Sequence, residues 1–248
     1  MSERPPEPAF STTVLEPAPG ERVAVDLLDG ARPTWLFLHG LGSVRAGEKS
    51  AALFRHAAWR GRAAARFDFR GHGDSTGTIG VATMSELIDD AAFVLERIGP
   101  AIVVGSSLGG LVGAHLAARR PDAVRALALL SPALGFLPRM RRRLDAAGRL
   151  RTSEDVEFAV HERALQDAER HDEDGLPARL PMPVFLAHGT DDELVPPALS
   201  ERFAAAIPHD RKELWVVPGG DHRLSRDIDE ILARMDSLFA RHGALGAG

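Results

Sequence analysis

The side chains best suited to chemistry stand on three Gly-rich turns. Ser107 is the centre of Gly105-Ser106-Ser107-Leu108-Gly109, a G-x-S-x-G. A serine hydroxyl is a weak nucleophile until a neighbouring base takes its proton, and that base needs an acid to orient it. Both partners follow downstream. His188-Gly189-Thr190-Asp191-Asp192 offers a carboxylate from Asp191 or Asp192, and Gly219-Gly220-Asp221-His222 offers an imidazole. The motif occurs twice, because Gly73-Asp74-Ser75-Thr76-Gly77 has the same form. Context separates the two. Ala101 to Val104 is an apolar, partly β-branched run that predicts a buried strand. Leu108, Leu111, Val112, His115 and Leu116 then recur at helical spacing. A sharp strand-to-helix turn exposes a serine and sets it beside helix N–H groups. Ser75 has neither element next to it and reads as a loop residue.

Around Ser107 the chain alternates strands with helices. Strands are expected at Phe10 to Glu16, Arg22 to Leu28, Thr34 to Leu38, Ala63 to Phe69, Ala126 to Leu130, Pro183 to Ala187 and Glu213 to Val217. Helices are expected from Glu48 to Arg60, from the capping box Thr83-x-x-Glu86 to Ile98, after Pro197, and from Leu224 to about His242. This rhythm predicts an α/β fold with a mostly parallel, eight-stranded sheet flanked by helices. Residues 134–180 interrupt it with no convincing strand, an Arg-rich run and a helix expected to open at Thr152-x-x-Asp155. They read as a small helical cap inserted into a core of residues 10–133 and 181–248. Residues 1–9 read as a disordered lead-in.

Composition narrows the function further. The formal charge is −5, which gives no footprint for nucleic acid. The absence of cysteine removes disulfides and thiol nucleophiles. No apolar run reaches bilayer length, and the opening MSERPPEPAF lacks a secretory apolar region, so a cytoplasmic location is expected. There is no H-E-x-x-H and no P-loop lysine, so neither a metal nor another cofactor is expected. Oligomeric state is not legible.

The segments HGLGS, FDFRGHGDS, GSSLGG, HGTDDELVP and GGDHR together resemble the α/β-hydrolase superfamily from about Thr34 to the C-terminus. The likeness is greatest to the branch of palmitoyl-protein thioesterases and acyl-glucuronide esterases. It implies Ser107 as nucleophile, His222 as general base and Asp192, the fifth residue of the HGxxDxxVP pattern, as the acid; Asp191 competes for that role. It also implies an oxyanion hole from the backbone N–H groups of Leu41 and Leu108. A substrate pocket is expected near Gly40, Ser106, Leu134, Phe136, Leu137, Met140 and Val195. His39 and His188 are expected to hold loops, His72 to lie in a packing loop, and His115 to be packed or on the surface. The implied reaction is cleavage of small acyl esters or thioesters through an acyl-enzyme. Peptide, lactone or C–C cleavage could use the same triad, and a non-catalytic ligand-binding member of the fold is the reading from another class. The arginines between Arg139 and Arg151 are either a solvated face or a docking patch for an acidic substrate such as an acyl-CoA or a glucuronide.

Overall fold

The computed structural model describes residues 7–246. Most of the expected lead-in, residues 1–6, lies outside the described residues. Residues 7–9 are irregular, and Glu7 pairs with the buried guanidinium of Arg66 at 2.5 Å.

The main sheet has eight strands: β1 Ser11–Leu15, β2 Val23–Leu28, β3 Ala31–Leu38, β4 Arg62–Phe67, β5 Ala101–Ser106, β6 Val124–Leu130, β9 Val184–Gly189 and β10 Lys212–Val217. Their order is β1-β2-β4-β3-β5-β6-β9-β10. β2 pairs antiparallel with β1 and β4, and every later pair is parallel. The alternating side chains of one strand serve two cores. Ala101 and Val103 of β5 face one layer, while Ile102 and Val104 face the other. All four are buried, as a central parallel strand requires.

The first layer holds α2 (Met84–Ile98), α3 (Leu108–Arg119) and α5 (Pro197–Ala206); the second holds α1 (Glu48–Trp59) and α6 (Ile228–Arg241). The N-terminus of α2 carries the expected capping box, with Thr83 and Glu86 each accepting the other's backbone N–H.

Two expected helix starts are displaced, for local reasons. Thr152 caps no helix. Its hydroxyl accepts the N–H groups of Glu154 and Val156, its own N–H donates to Val156 O, and Asp155 takes a left-handed φ of 59°. The side chain has closed a β-turn instead. That turn joins two strands the sequence did not announce, β7 (Arg149–Arg151) and β8 (Glu157–Ala159), paired antiparallel. The helix in this region, α4, runs from Glu162 to Ala168, and His161 accepts the Arg163 N–H at its start. The cap is therefore mixed: a 3-10 turn at Leu137–Arg143, the β7–β8 hairpin, α4, and a second 3-10 turn at Pro177–Arg179. The final helix likewise begins at Ile228, not Leu224. Leu224 has φ 53°, and Asp221 Oδ1 accepts the N–H groups of Arg223 and Leu224 in a tight turn.

Candidate active site

Ser107 stands between the end of β5 and the first residue of α3, at φ 54° and ψ −118°. A non-glycine residue in that region carries backbone strain, which persists only where the surroundings enforce it. Here Ser107 N–H donates to Leu130 O of β6, and Ser107 O accepts the N–H groups of Gly110, Leu111 and Ala133. The motif's two glycines have steric causes. A Cβ at Gly105 would run into the carbonyl of Gly109, and one at Gly109 would run into those of Leu38 and His39. The elbow fits only because both positions lack side chains.

His222 Nε2 lies 2.9 Å from Ser107 Oγ, and His222 Nδ1 lies 2.7 Å from Asp192 Oδ2. Facing a carboxylate, Nδ1 carries a proton, which leaves Nε2 free to accept the serine's. Asp192 Oδ1 accepts the N–H groups of Leu194 and Val195, both at 2.9 Å. Burial pushes the Asp192 carboxyl up, but the hydrogen bonds from His188 and His222 outweigh it and hold the group well below the usual carboxylate range. Asp191 points elsewhere: it is exposed and accepts from the Thr190 hydroxyl. Ser75 is occupied in its loop, donating to Asp68 O and accepting from Ala24 N–H.

The other histidines divide by what they hold. His188 Nε2 faces both Asp192 Oδ2 at 3.0 Å and Val195 O at 2.9 Å, so it carries a proton; Nδ1 lies 2.7 Å from the hydroxyl of buried Ser200. It thus holds the loop and also grips the carboxylate of Asp192. That second contact had one sequence signal, the four-residue spacing from His188 to Asp192. His39 Nε2 accepts Phe69 N–H, and His72 Nε2 accepts Gly42 N–H. Both brace the loop of residues 39–43. Burial, with the charge of neighbouring His72, pushes the His39 imidazole down to about 4. His115 is packed edge-on against His171, and burial lowers it to about 4 as well.

That loop passes close to Ser107. A Cβ built on Gly40 would lie 3.3 Å from Ser107 Cβ and 3.9 Å from its Oγ. Ser107 and His222 open into a cavity of about 310 Å³. Of the expected pocket residues, Phe136 and Val195 line it, beside the side chains of Leu41 and Leu108. Leu137 and Met140 line a second, smaller space behind it. The remaining three lie elsewhere. Leu134 packs into the core, and Gly40 and Ser106 border a separate polar cleft of about 120 Å³. Sequence reasoning missed the walls that the β7–β8 hairpin and the Asp192 loop supply, Leu150, Thr152, Ser153 and Leu194.

The Arg-rich run is mostly engaged within the cap. Arg141 pairs with Glu162 and Glu169, Arg149 with Glu157, and Arg151 with Asp155. Arg143 donates to Leu194 O. Only Arg143 and Arg151 of the run line the larger cavity.

With this geometry in place, comparison with known proteins is decisive for the family. The profile of the family described as serine aminopeptidase, S33, matches residues 30–174 and 160–229. The chain belongs to this family of α/β-hydrolases. A curated relative, mouse mitochondrial palmitoyl-protein thioesterase ABHD10, is 29% identical over 233 residues, covering 88% of this chain and 78% of its own. The lipase LipV of Mycobacterium tuberculosis is 43% identical over a shorter stretch of 75 residues, 28% of this chain and 27% of its own. Among solved structures, mouse α/β hydrolase domain-containing protein 10 superposes with a TM-score of 0.83 at 27% identity, covering 94% of this chain and 99% of that one. Est1E of Butyrivibrio proteoclasticus, solved with ferulic acid bound, gives 0.79 at 20% identity over 92% of this chain and 99% of that one, a likeness of fold. The chain is a hydrolase of the ester-bond class. Among the described residues, no helix is long and apolar enough to cross a membrane.

Proposed function

We propose that this α/β-hydrolase cleaves carboxylic esters or thioesters through an acyl-enzyme formed on Ser107. The observation that carries the reading is the unbroken hydrogen-bonded line from Ser107 Oγ through His222 to Asp192, opening into a cavity walled by apolar side chains on one part and by Arg143, Arg151, Thr152 and Ser153 on another. Ser107 Oγ attacks the carbonyl carbon while His222 Nε2 takes its proton. Asp192 holds the imidazolium that results. His222 then returns the proton to the leaving oxygen or sulfur, and a water repeats the sequence to release the acid. The oxyanion is received by the N–H groups of Leu41 and Leu108. The second stands in the first turn of α3, where a helix N–H has no intrahelical partner and the helix dipole is positive. A donor of this kind contributes on the order of 3 kcal/mol to the transition state.

The family's description raises aminopeptidase cleavage as a competing reading. An aminopeptidase needs an anion to receive the substrate ammonium, whereas the charged side chains at this cavity, Arg143 and Arg151, are cations. The ester reading is the stronger for that reason.

The test is a time course with p-nitrophenyl esters from acetate to palmitate and an aminoacyl p-nitroanilide, beside Ser107→Ala. Ester turnover that vanishes in the variant is the expected result. A His222→Ala variant that keeps the parent rate contradicts His222 as base. No ester turnover, together with a Ser107 inert to fluorophosphonate, favours a non-catalytic ligand-binding protein.

A further inference from the structure

Behind the cavity that holds Ser107 lies a second space of about 50 Å³, between the cap and the start of α2. The side chains that line it are all apolar, with no charge and no hydroxyl, amide or ring N–H among them, and include Met84, Leu87, Phe158 and Ala164, all buried. Such a space does not hold water well, and leaving it empty is unfavourable in proportion to its volume. A hydrocarbon is the occupant its chemistry fits.

The two spaces share four lining residues, Leu41, Leu108, Phe136 and Leu150. Leu41 and Leu108 flank Ser107 from the core. Phe136 and Leu150 come from the cap: Phe136, half-buried, precedes the first 3-10 turn, and Leu150, 4% exposed, is the central residue of β7. The larger cavity is different in character beyond this wall, where it meets Arg143, Arg151, Thr152 and Ser153. A carbonyl held at Ser107 thus has an apolar direction on one side and a polar, cationic one on the other.

We propose that the smaller space is the far end of the acyl site, and that Phe136 and Leu150 form the partition that sets acyl length. This assignment rests on Ser107 acting on esters. The acyl chain passes from Ser107 between the Leu41–Leu108 pair and the Phe136–Leu150 pair, and its terminal methylenes enter the smaller space. The leaving group stays with Arg143, Arg151, Thr152 and Ser153. The substrate class is accordingly a linear, unbranched acyl ester or thioester with a polar leaving group.

The hairpin is fastened where the partition needs it. A Cβ on Gly42 would come within 2.7 Å of Thr152 Oγ1, and His161 N–H donates to Gly80 O at 2.8 Å. Leu150 is therefore held in place from both ends of the β7–β8 hairpin.

The experiment compares kcat/KM across linear p-nitrophenyl esters from acetate to palmitate in the parent, Phe136→Ala, Leu150→Ala and Ala164→Phe. Removing the partition raises the long-to-short ratio about fourfold for each extra methylene accommodated. Filling the space with Ala164→Phe lowers that ratio by the same factor for each methylene excluded, and Ala82→Leu repeats the test if the first variant does not fold. In parallel, Ser107→Ala protein is titrated with decanoate by calorimetry, alone and combined with Ala164→Phe. Binding with a negative heat-capacity change, weakened by the filling variant, supports the site independently of turnover. An identical chain-length profile in all variants, or decanoate binding unchanged by Ala164→Phe, overturns the proposal. Absence of turnover with decanoate binding intact and weakened by Ala164→Phe refutes the Ser107 chemistry while supporting the acyl site.

Discussion

Replacing Asp192 by asparagine tests the site most sharply, because the structure leaves its carboxylate no spare acceptor. Oδ1 receives two backbone N–H groups, and Oδ2 receives His222 Nδ1 and His188 Nε2. An asparagine has one oxygen. If that oxygen keeps Leu194 and Val195, its NH₂ confronts both imidazoles. His222 can then be satisfied only by accepting at Nδ1, which moves its proton to Nε2, facing Ser107. An imidazole in that tautomer cannot take the serine's proton. The flipped rotamer is no better, since it turns the NH₂ toward two N–H donors. The expected loss is about 10⁴ in kcat, or about 5.5 kcal/mol, in line with the effect of the same tautomer error in a known triad. Stability should fall by about 1–3 kcal/mol from the unmatched donors. Asp191→Asn is the control. It is exposed and accepts only from Thr190, so kcat should stay within about twofold. The assay is kcat on p-nitrophenyl butyrate, with a urea melt to confirm that each variant is folded. An Asp192→Asn enzyme retaining more than about a tenth of the parent rate would refute this account. So would an equal loss in Asp191→Asn.

Three further outcomes follow from the same structure. Gly109→Ala forces a methyl into the carbonyls of Leu38 and His39, and should cost about 3 kcal/mol in a urea melt together with most of the activity. Stability should fall as pH drops from 6.5 toward about 4, because burial pushes His39 and His115 down to about 4 in the fold while the unfolded chain protonates them near 6.5. Each such group contributes up to about 1.4 kcal/mol per pH unit across that window, present in full above it, and thermal melts from neutral pH downward read it directly. Asp26→Ala takes from the buried Arg66 one of its two carboxylate partners, leaving Glu7, and should cost about 1–3 kcal/mol, whereas Arg141→Ala, in a solvent-exposed network, should leave the urea midpoint nearly unmoved.

What the sequence revealed and what it hid follow the range of the interactions involved. The elbow was legible because its requirements are local: an apolar strand, two positions without a Cβ and a helix all fall within nineteen residues, Ala101 to Arg119. The sheet was legible for the same reason, since buried parallel strands read as short apolar runs. Thr152 misled because a threonine two or three residues before a backbone N–H can close a turn as well as cap a helix. What decides between the two is the pairing of Arg149–Arg151 with Glu157–Ala159, which no local pattern announces. Leu224 misled because its positive φ is imposed by the Asp221 turn that carries His222. The pocket was half-legible. Phe136 and Val195 follow from their position near the motifs, but Leu150 and Ser153 reach the site only through the hairpin's docking.

That docking ties the cavity wall to the loops that carry His222 and Leu41. Arg223, next to His222, donates to Ser153 O at 3.0 Å and to Glu154 Oε2 at 3.2 Å, while its own carbonyl accepts from Lys49 Nζ at 2.9 Å. On the opposite side, Thr152 packs against Gly42, whose N–H is held by His72. The hairpin turn therefore touches the loop of His222 and the loop of Leu41 at once. A change in the hairpin that alters the pocket will also act on the positions of His222 and Leu41. Mutations there should consequently couple kcat to chain length, whereas mutations on the α4 side of the acyl space, at Ala164, are separated from the triad by the Leu41–Leu108 wall and should alter chain-length preference alone.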